Sequence, residues 1–301
     1  MIGGLVSVVI AAFDMRIDVD RCLAALEARR DEVDLEVVLV DNASRDGTAA
    51  HVRSRYPWVR LLTLEDNIGW TRATNRGIAE AHGPYLLLLN ADTVVNAGTL
   101  SGLVAFMAQH PEVGIVAPLM RNGDGSVQET ARDLPSPLNA VFGRHSVLTR
   151  LWPDNPMSRR YLRRDRLGAT EPYEVGWVSA AGAMCRSEAM AHIGGGLDES
   201  FTHWVDADWC LQIRAAGWTV FCVPALDIVH LEGYGRGYKA PQKIVAFHQG
   251  CYALYRKHYV RSPWHPMAWL AVVGLSVRCA LLLAANGLKT RGARENWDVT
   301  P

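Results

Sequence analysis

The apolar run Tyr85-Leu86-Leu87-Leu88-Leu89 ends on Asn90-Ala91-Asp92, an amide and a carboxylate at the point where a buried strand would release the chain. A run this short, entered through Gly83-Pro84, reads as a strand covered on both faces of a parallel sheet. Open α/β sheets bind their ligands at the carboxyl ends of such strands. Carboxylate and amide oxygens there suit a hard divalent cation, Mg²⁺ or Mn²⁺, which commonly shares its shell with substrate phosphates. The local alternative is a cap, with Asp92 or Thr93 starting a helix through 100–107.

Three further clusters fall where strands should end. Asp41-Asn42-Ala43-Ser44-Arg45-Asp46-Gly47-Thr48 follows an apolar run at 37–40. Asp41 can accept from a base or ribose donor there, while Ser44 to Thr48 reads as a turn that caps the next helix. Asn67-Ile68-Gly69-Trp70 leads into Asn75-Arg76-Gly77 and opens a helix carrying Arg72, Asn75 and Arg76 within about one turn of one another. A helix N-terminus with arginines is a diphosphate site; a solvated helix face explains Arg76 as well. Trp204-Val205-Asp206-Ala207-Asp208-Trp209 offers two alternating carboxylates. In an extended segment they share a side and at a helix start they diverge, so one can act as a general base and the other cap a helix beginning at Trp209. His230, downstream of a strand at 219–223, is a third candidate metal ligand or phosphate partner, against ordinary packing.

The elements that must position these residues alternate. Apolar runs at Val6–Ala12, 35–40, 59–64 and 85–89 are separated by helical patterns at 18–30, Thr48–Arg55 and 70–81, which means βαβ units and a parallel sheet. Residues 110–175 change character, with the hairpin signal Asn122-Gly123-Asp124-Gly125 followed by proline-broken, arginine-rich sequence; this piece is expected to be mobile or to face a partner. Apolar order returns at Val175, with a helix over 208–216, a turn at Gly217 and the strand at 219–223. A chain of 301 residues, about half of them hydrophobic, with 31 basic against 31 acidic side chains, can bury a sizeable core and does not read as a nucleic-acid binder or a disordered protein. Six cysteines without a CxxC pair fit a reducing compartment. The run from Leu5 to Phe13 lacks a basic flank and a cleavage site, so it reads as a first strand rather than a signal peptide.

The stretch 266–288 is nearly all apolar and long enough to span a bilayer, but Arg278 in its middle would be expensive there. Basic residues on both sides (Arg256, Lys257, His258 and Arg261; Lys289, Arg291 and Arg294), with Trp264 and Trp269 near one end, fit a helix lying in a membrane interface. The alternative is a core helix or the interface of a homodimer.

Placed together, these motifs resemble the inverting glycosyltransferases of family 2, in their rhamnosyltransferase-like branch, over residues 6–238. Val6-Ser7-Val8-Val9-Ile10 is similar to that family's first strand, with Phe13-Asp14 where Tyr-Asn is usual. The segment around Asp41 is similar to its nucleotide-binding motif, Asn67 to Gly77 to its second motif, and Asn90-Ala91-Asp92 to its metal motif with Asn for the first Asp. Val205-Asp206 stands where the family has Glu-Asp, and His230-Leu231-Glu232-Gly233 resembles the segment whose His completes the metal shell, with Gly235 where a Ser is often found. The resemblance implies a GT-A fold, an α/β architecture with a mostly parallel sheet flanked by helices, over 1–240. A C-terminal helical extension, membrane-associating, follows over 241–301.

It implies that Asp206 is the catalytic base, that Asp92 and His230 hold Mg²⁺ or Mn²⁺, and that Asp41, Asn42, Asn67, Arg72, Asn75, Arg76, Asn90 and Asp92 bind the donor. That donor is a nucleotide-diphosphate sugar, with dTDP-rhamnose favoured over a UDP-sugar. The acceptor side falls to Trp177, Gly182, Trp204 and Asp208, with Trp177, Trp204 and His203 either stacking on a sugar or belonging to the core. The loop Gly233 to Tyr238, three glycines around Arg236, reads as a lid over the diphosphate or as a static surface loop. The implied acceptor is a lipid-linked saccharide of a bacterial cell-surface polysaccharide, and the implied location is the cytoplasmic face of the membrane. A dinucleotide-binding oxidoreductase is excluded because Ala11-Ala12-Phe13-Asp14 has no glycine-rich turn. A catalytically inactive membrane-bound scaffold is the remaining rival, with Asn90, Val205 and Gly235 in its favour and Asp41, Asp92, Asp206 and His230 against it.

Overall fold

The structure, a computed structural model, describes residues 4–135, 152, 155–231, 241–260, 262 and 264–295. The lid expected at 233–238 and the flanking Arg261 lie outside the described residues, as do the side chains of Lys289, Arg291 and Arg294.

Strand β1 (Val6–Ala12) pairs in parallel with β2 (Leu35–Asp41) on one side and β4 (Tyr85–Asn90) on the other. Strand β3 (Arg60–Thr63) extends the sheet beyond β2. Between them run α1 (Arg16–Glu27), α2 (Thr48–Arg55) and α3 (Trp70–Ile78). Past β4 the sheet turns mixed: β8 (Gly182–Arg186) is antiparallel to it, and β6 (Val113–Arg121), β9 (Thr219–His230) and β5 (Thr93–Val95) complete the order β3-β2-β1-β4-β8-β6-β9-β5. Strand β7 (Tyr173–Glu174) pairs with β9 from the side. Three more helices flank the sheet: α4 (Thr99–Gln109), α6 (Ser187–His192) and α7 (Val205–Ala215), with a short α5 (Pro156–Tyr161) beside them; α8 (Pro241–His258) and α9 (Pro266–Glu295) follow.

Every residue of β1 is buried, because alternate side chains serve different layers. Val8 and Ile10 join Leu23, Leu87, Leu89 and Leu103 on one face. Val9 joins Leu86, Leu88, Trp209 and Ile213 on the other. Helix α3 approaches closely: a Cβ on Gly77 would stand 2.5 Å from Val9 Cγ1, so only glycine lets the helix lie this near the sheet.

The register aligns the functional ends. Ala12 pairs with Asp41 and Ala11 with Asn90, which sets the carboxyl ends of β1, β2 and β4 along one edge. Thr93 pairs with His230, which carries the histidine beside Asp92. The helix-cap alternative for Asp92 and Thr93 is removed, since Thr93 opens β5 and α4 starts at Thr99 after Gly98.

Two expectations need correction. Helix α7 begins at Val205 rather than Trp209, with Trp204 before it at φ 69°, so Asp206 and Asp208 both sit in the first turn, where the helix dipole favours carboxylates. Strand β9 runs on to His230 because a register shift after Val223 absorbs Pro224. Part of the piece at 110–175 belongs to the core: β6 is an inner strand, and Gln128 is buried.

Candidate active site

Asn90, Asp92, His230 and Gln128 form one cluster at the ends of β4 and β9, with Gln128 and His230 buried and Asn90 and Asp92 half-buried. His230 is 7 % exposed. Its Nε2 stands 3.2 Å from Asp92 Oδ1 and 3.3 Å from Asn90 Nδ2, while its Nδ1 is 3.1 Å from Gln128 Oε1. Among the described residues no three His, Cys, Asp or Glu side chains gather to hold a metal. Among the described residues a cation here would take a carboxylate oxygen from Asp92 and an imidazole nitrogen from His230. That set suits Mg²⁺ or Mn²⁺ completing its shell from water and a diphosphate.

A second site opens at the end of β2. A pocket of about 410 Å³ is lined by Phe13, Asp41, Arg45, Arg53, Asp66 and Asn67 among others. Asp41 is 3 % exposed, and its Oδ1 has no hydrogen-bond partner among the described residues. A buried carboxylate oxygen left so is costly unless a ligand donates to it. Asn42 serves the wall of this pocket: its Oδ1 accepts from Ile68 N (2.9 Å) and its Nδ2 donates to Asn67 Oδ1 (2.9 Å). Asp46 makes the expected turn, accepting from Thr48 N at 3.0 Å.

The helix after Gly69 does not present its polar side chains as a set. Arg72 is exposed and pairs with Glu199 at 3.3 Å; Arg76 is exposed. Asn75 is committed elsewhere, donating to Leu197 O (2.9 Å) and accepting from Leu197 N (2.8 Å). Thr71 Oγ1 donates to Phe201 O. With Thr71, Asn75 pins the segment 197–201 that leads into α7.

Asp206 lies in that helix's first turn, half-buried. Its Oδ1 accepts from Ala207 N at 2.9 Å. Burial pushes its carboxyl above the usual carboxylate range, and the Arg132 guanidinium opposes the rise. A carboxylate made more basic by its surroundings and still open to a substrate hydroxyl is what proton abstraction needs. Arg132 is a residue that sequence reasoning missed. It stacks over Trp177 at 4.7 Å, and its backbone N donates to Trp177 O at 2.9 Å.

The acceptor-side assignments divide. Trp204 is half-buried, 6.0 Å from Trp177, and donates from Nε1 to Phe247 O. Trp177, only 4 % exposed and covered by Arg132 and Trp204, is core and offers no open face to a sugar. Gly182 is glycine for packing, because a Cβ there would meet Ile228 Cδ1 at 2.1 Å. Asp208 is corrected most clearly: it is wholly buried and accepts from His258 Nε2 (2.6 Å), Lys257 Nζ (2.9 Å) and Gln212 Nε2 (2.8 Å). It holds α8 against α7 and does not face a substrate.

Comparison with known proteins agrees with this geometry. The profile described as Glycosyl transferase family 2 matches residues 7–193. The chain is 31 % identical over 287 residues to N-acetylglucosaminyl-diphospho-decaprenol L-rhamnosyltransferase of Mycobacterium tuberculosis, covering 90 % of this chain and 91 % of that protein. It is 31 % identical over 240 residues to the O-antigen biosynthesis protein RfbC of Myxococcus xanthus, covering 76 % of this chain and 17 % of that one. Among solved structures, the mannosyltransferase PcManGT of Pyrobaculum calidifontis, in complex with GDP-Man and Mn²⁺, superposes with a TM-score of 0.59 at 21 % identity, over 96 % of this chain and 75 % of that one. That likeness shows a shared GT-A fold.

Proposed function

We infer the reaction from one premise: the chain belongs to glycosyl transferase family 2. It is an inverting glycosyltransferase that moves L-rhamnose from a nucleotide-diphosphate donor, dTDP-rhamnose ahead of a UDP-sugar, to a lipid-linked saccharide in bacterial cell-surface polysaccharide synthesis. The observation that carries the chemistry is Asp206, a carboxylate in the first turn of α7 that stays partly open to solvent. The whole-length likeness to a rhamnosyltransferase acting on a diphospho-decaprenol acceptor supports the choice of sugar and lipid.

Asp41 accepts from the nucleotide, and the pocket wall set by Asn42 and Asn67 holds the base. Asp92 and His230 would hold a divalent cation, which would supply positive charge at the diphosphate. Arg72, exposed in the first turn of α3, and Arg76, exposed in its last, add to that charge. Asp206 takes the proton of an acceptor hydroxyl. The hydroxyl oxygen then forms its bond to the anomeric carbon as the carbon–diphosphate bond breaks on the opposite face. A thermal-shift series with dTDP, UDP and GDP, each with Mn²⁺, Mg²⁺ or EDTA, tests the donor. The expected result is a metal-dependent rise with dTDP, about 2.7 kcal/mol at a hundredfold excess over Kd; no rise with any of the three would contradict the assignment.

Helices α8 and α9 form a C-terminal extension that meets the cytoplasmic face of the membrane. Helix α9 turns Ala268 and Leu275 inwards. Arg278 also turns in, donating from Nη1 to His248 Nε2 at 2.9 Å with its guanidinium near the Phe247 ring. Its other side leaves Trp269, Leu270, Val273, Val277 and Leu281 exposed. An apolar exposed face with its one mid-helix charge turned away suits a helix lying in the interface, with Trp264 and Trp269 at the headgroup level. Val273→Asp with Val277→Asp is expected to reduce co-sedimentation with phosphatidylglycerol vesicles at least tenfold. Unchanged binding would remove the membrane role of this face.

A further inference from the structure

We propose that Gln128 is a positioning residue that locks His230 as the Nδ1–H tautomer and so presents a bare Nε2 to Asp92. The backbone carbonyl oxygen of His230 only accepts, and the Gln128 side-chain atom facing it at 2.9 Å must therefore be the amide nitrogen. The same nitrogen donates to Asn122 Oδ1 at 2.7 Å. With both amide protons so directed, Gln128 Oε1 faces His230 Nδ1 at 3.1 Å. An amide oxygen has no proton to give, so Nδ1 carries one. In neutral imidazole the other nitrogen is then bare.

That nitrogen looks towards Asp92 Oδ1 at 3.2 Å, with Asn90 Nδ2, a donor, at 3.3 Å. A lone pair facing a carboxylate is an arrangement that a cation between them would stabilise. The donor–acceptor pattern of one glutamine thus makes His230 a metal ligand rather than a hydrogen-bond donor to Asp92. Burial keeps the lock closed to water, with Gln128 5 % and His230 7 % exposed. The same segment continues through Thr130 to Arg132, whose guanidinium acts on Asp206. Residues 128–132 therefore serve both the leaving-group side and the base. The metal consequence rests on the proposed cation role of Asp92 and His230; the tautomer does not.

The test uses the full chain labelled with [¹⁵N]histidine, with the His230 ring assigned by comparison with His230→Asn. Long-range ¹H–¹⁵N correlation distinguishes the two neutral tautomers from imidazolium. The expected spectrum has a protonated Nδ1 and a bare Nε2. An Nε2–H ring or an imidazolium at neutral pH in the wild type overturns the proposal, whatever the variants do. Gln128→Met removes the acceptor and is expected to lose the Nδ1–H signature, whereas Gln128→Glu, which keeps an acceptor there, retains it. A Gln128→Met protein that kept the wild-type tautomer would also overturn it. Mn²⁺ affinity measured by electron paramagnetic resonance with dTDP present is expected to fall 10- to 100-fold in Gln128→Met, the usual effect of losing an outer partner of a metal-ligating histidine. The predicted tautomer in a wild type that binds no Mn²⁺ would support the positioning role and defeat the metal reading instead.

Discussion

Asp206→Asn is expected to lower kcat by about 10² to 10⁴-fold, the range for loss of a positioned general base, while nucleotide binding stays at the wild-type level. The same change is expected to raise thermal stability at neutral pH. Burial lifts the Asp206 carboxyl above its ordinary range, against the pull of Arg132, so the folded protein holds that proton more tightly than the unfolded chain does. The resulting stabilisation is complete below the unfolded carboxylate range, about pH 4, and is lost as pH rises through the higher folded value. Above that folded value the wild type carries an ionised group at a site that disfavours it, and asparagine relieves this. The gap in melting temperature should close as the pH is lowered, and the acid limb of kcat/KM should lie above the ordinary carboxylate range. Near wild-type turnover in the variant would assign the base elsewhere; equal stabilities at every pH would remove the burial argument.

Lys257→Met is expected to have the largest effect on stability. Asp208 has no exposed side-chain surface, while Lys257 is 32 % exposed. Removing the lysine leaves a buried carboxylate with His258 and Gln212 as its remaining side-chain donors. Breaking a buried pair costs about 3–5 kcal/mol, and the exposure of Lys257 places this one near the lower end. For a chain of this size that is a fall in Tm on the order of 5–10 °C. The lysine also holds Asp198 at 2.7 Å. Burial would raise that carboxyl, but Lys257 and Ser200 bring it down to about 2, so its contribution is present above about pH 4 and is lost as pH falls towards 2. Burial lowers Lys257 and the two aspartates more than restore it; its share persists below its ordinary range and is lost as pH rises through the raised value. Urea denaturation from pH 2 to 8 should show a steeper acid fall in the wild type than in the variant. A variant that melts within about 1 °C of the wild type would mean that α8 is held by something other than this pair.

The parallel half of the fold is legible in the sequence because its signals are local. Val6–Ala12 is a strand and Thr48–Arg55 a helix at the bounds that periodicity and turn residues predict. The antiparallel half is less so. Pro224 hides the continuation of β9 to His230, since only the neighbouring β6 reveals the register shift that accommodates it. The alternation of Asp206 and Asp208 fits a strand edge as well as a helix start, and the positive φ of Trp204 that decides between them leaves no mark on residue type. Asp92 is readable as a site residue because it ends an apolar run, whereas its pairing with His230 follows only from the family resemblance. Gln128 and Arg132 are not readable, being single polar residues in a segment without periodicity. The partners that bury Asp208 lie 49 and 50 residues downstream, beyond the reach of any local pattern.

The direct test of the account is transfer itself. The full chain, with Mn²⁺ or Mg²⁺, is incubated with dTDP-L-rhamnose and a lipid-linked N-acetylglucosaminyl diphosphate, and the products are read by mass spectrometry and by the anomeric configuration of the new linkage. The account predicts addition of one deoxyhexose with inversion, release of dTDP, and loss of both with Asp206→Asn. A retained configuration would contradict the mechanism, and a fold-competent, nucleotide-binding protein that transfers no sugar from dTDP-, UDP- or GDP-linked donors would contradict the enzyme.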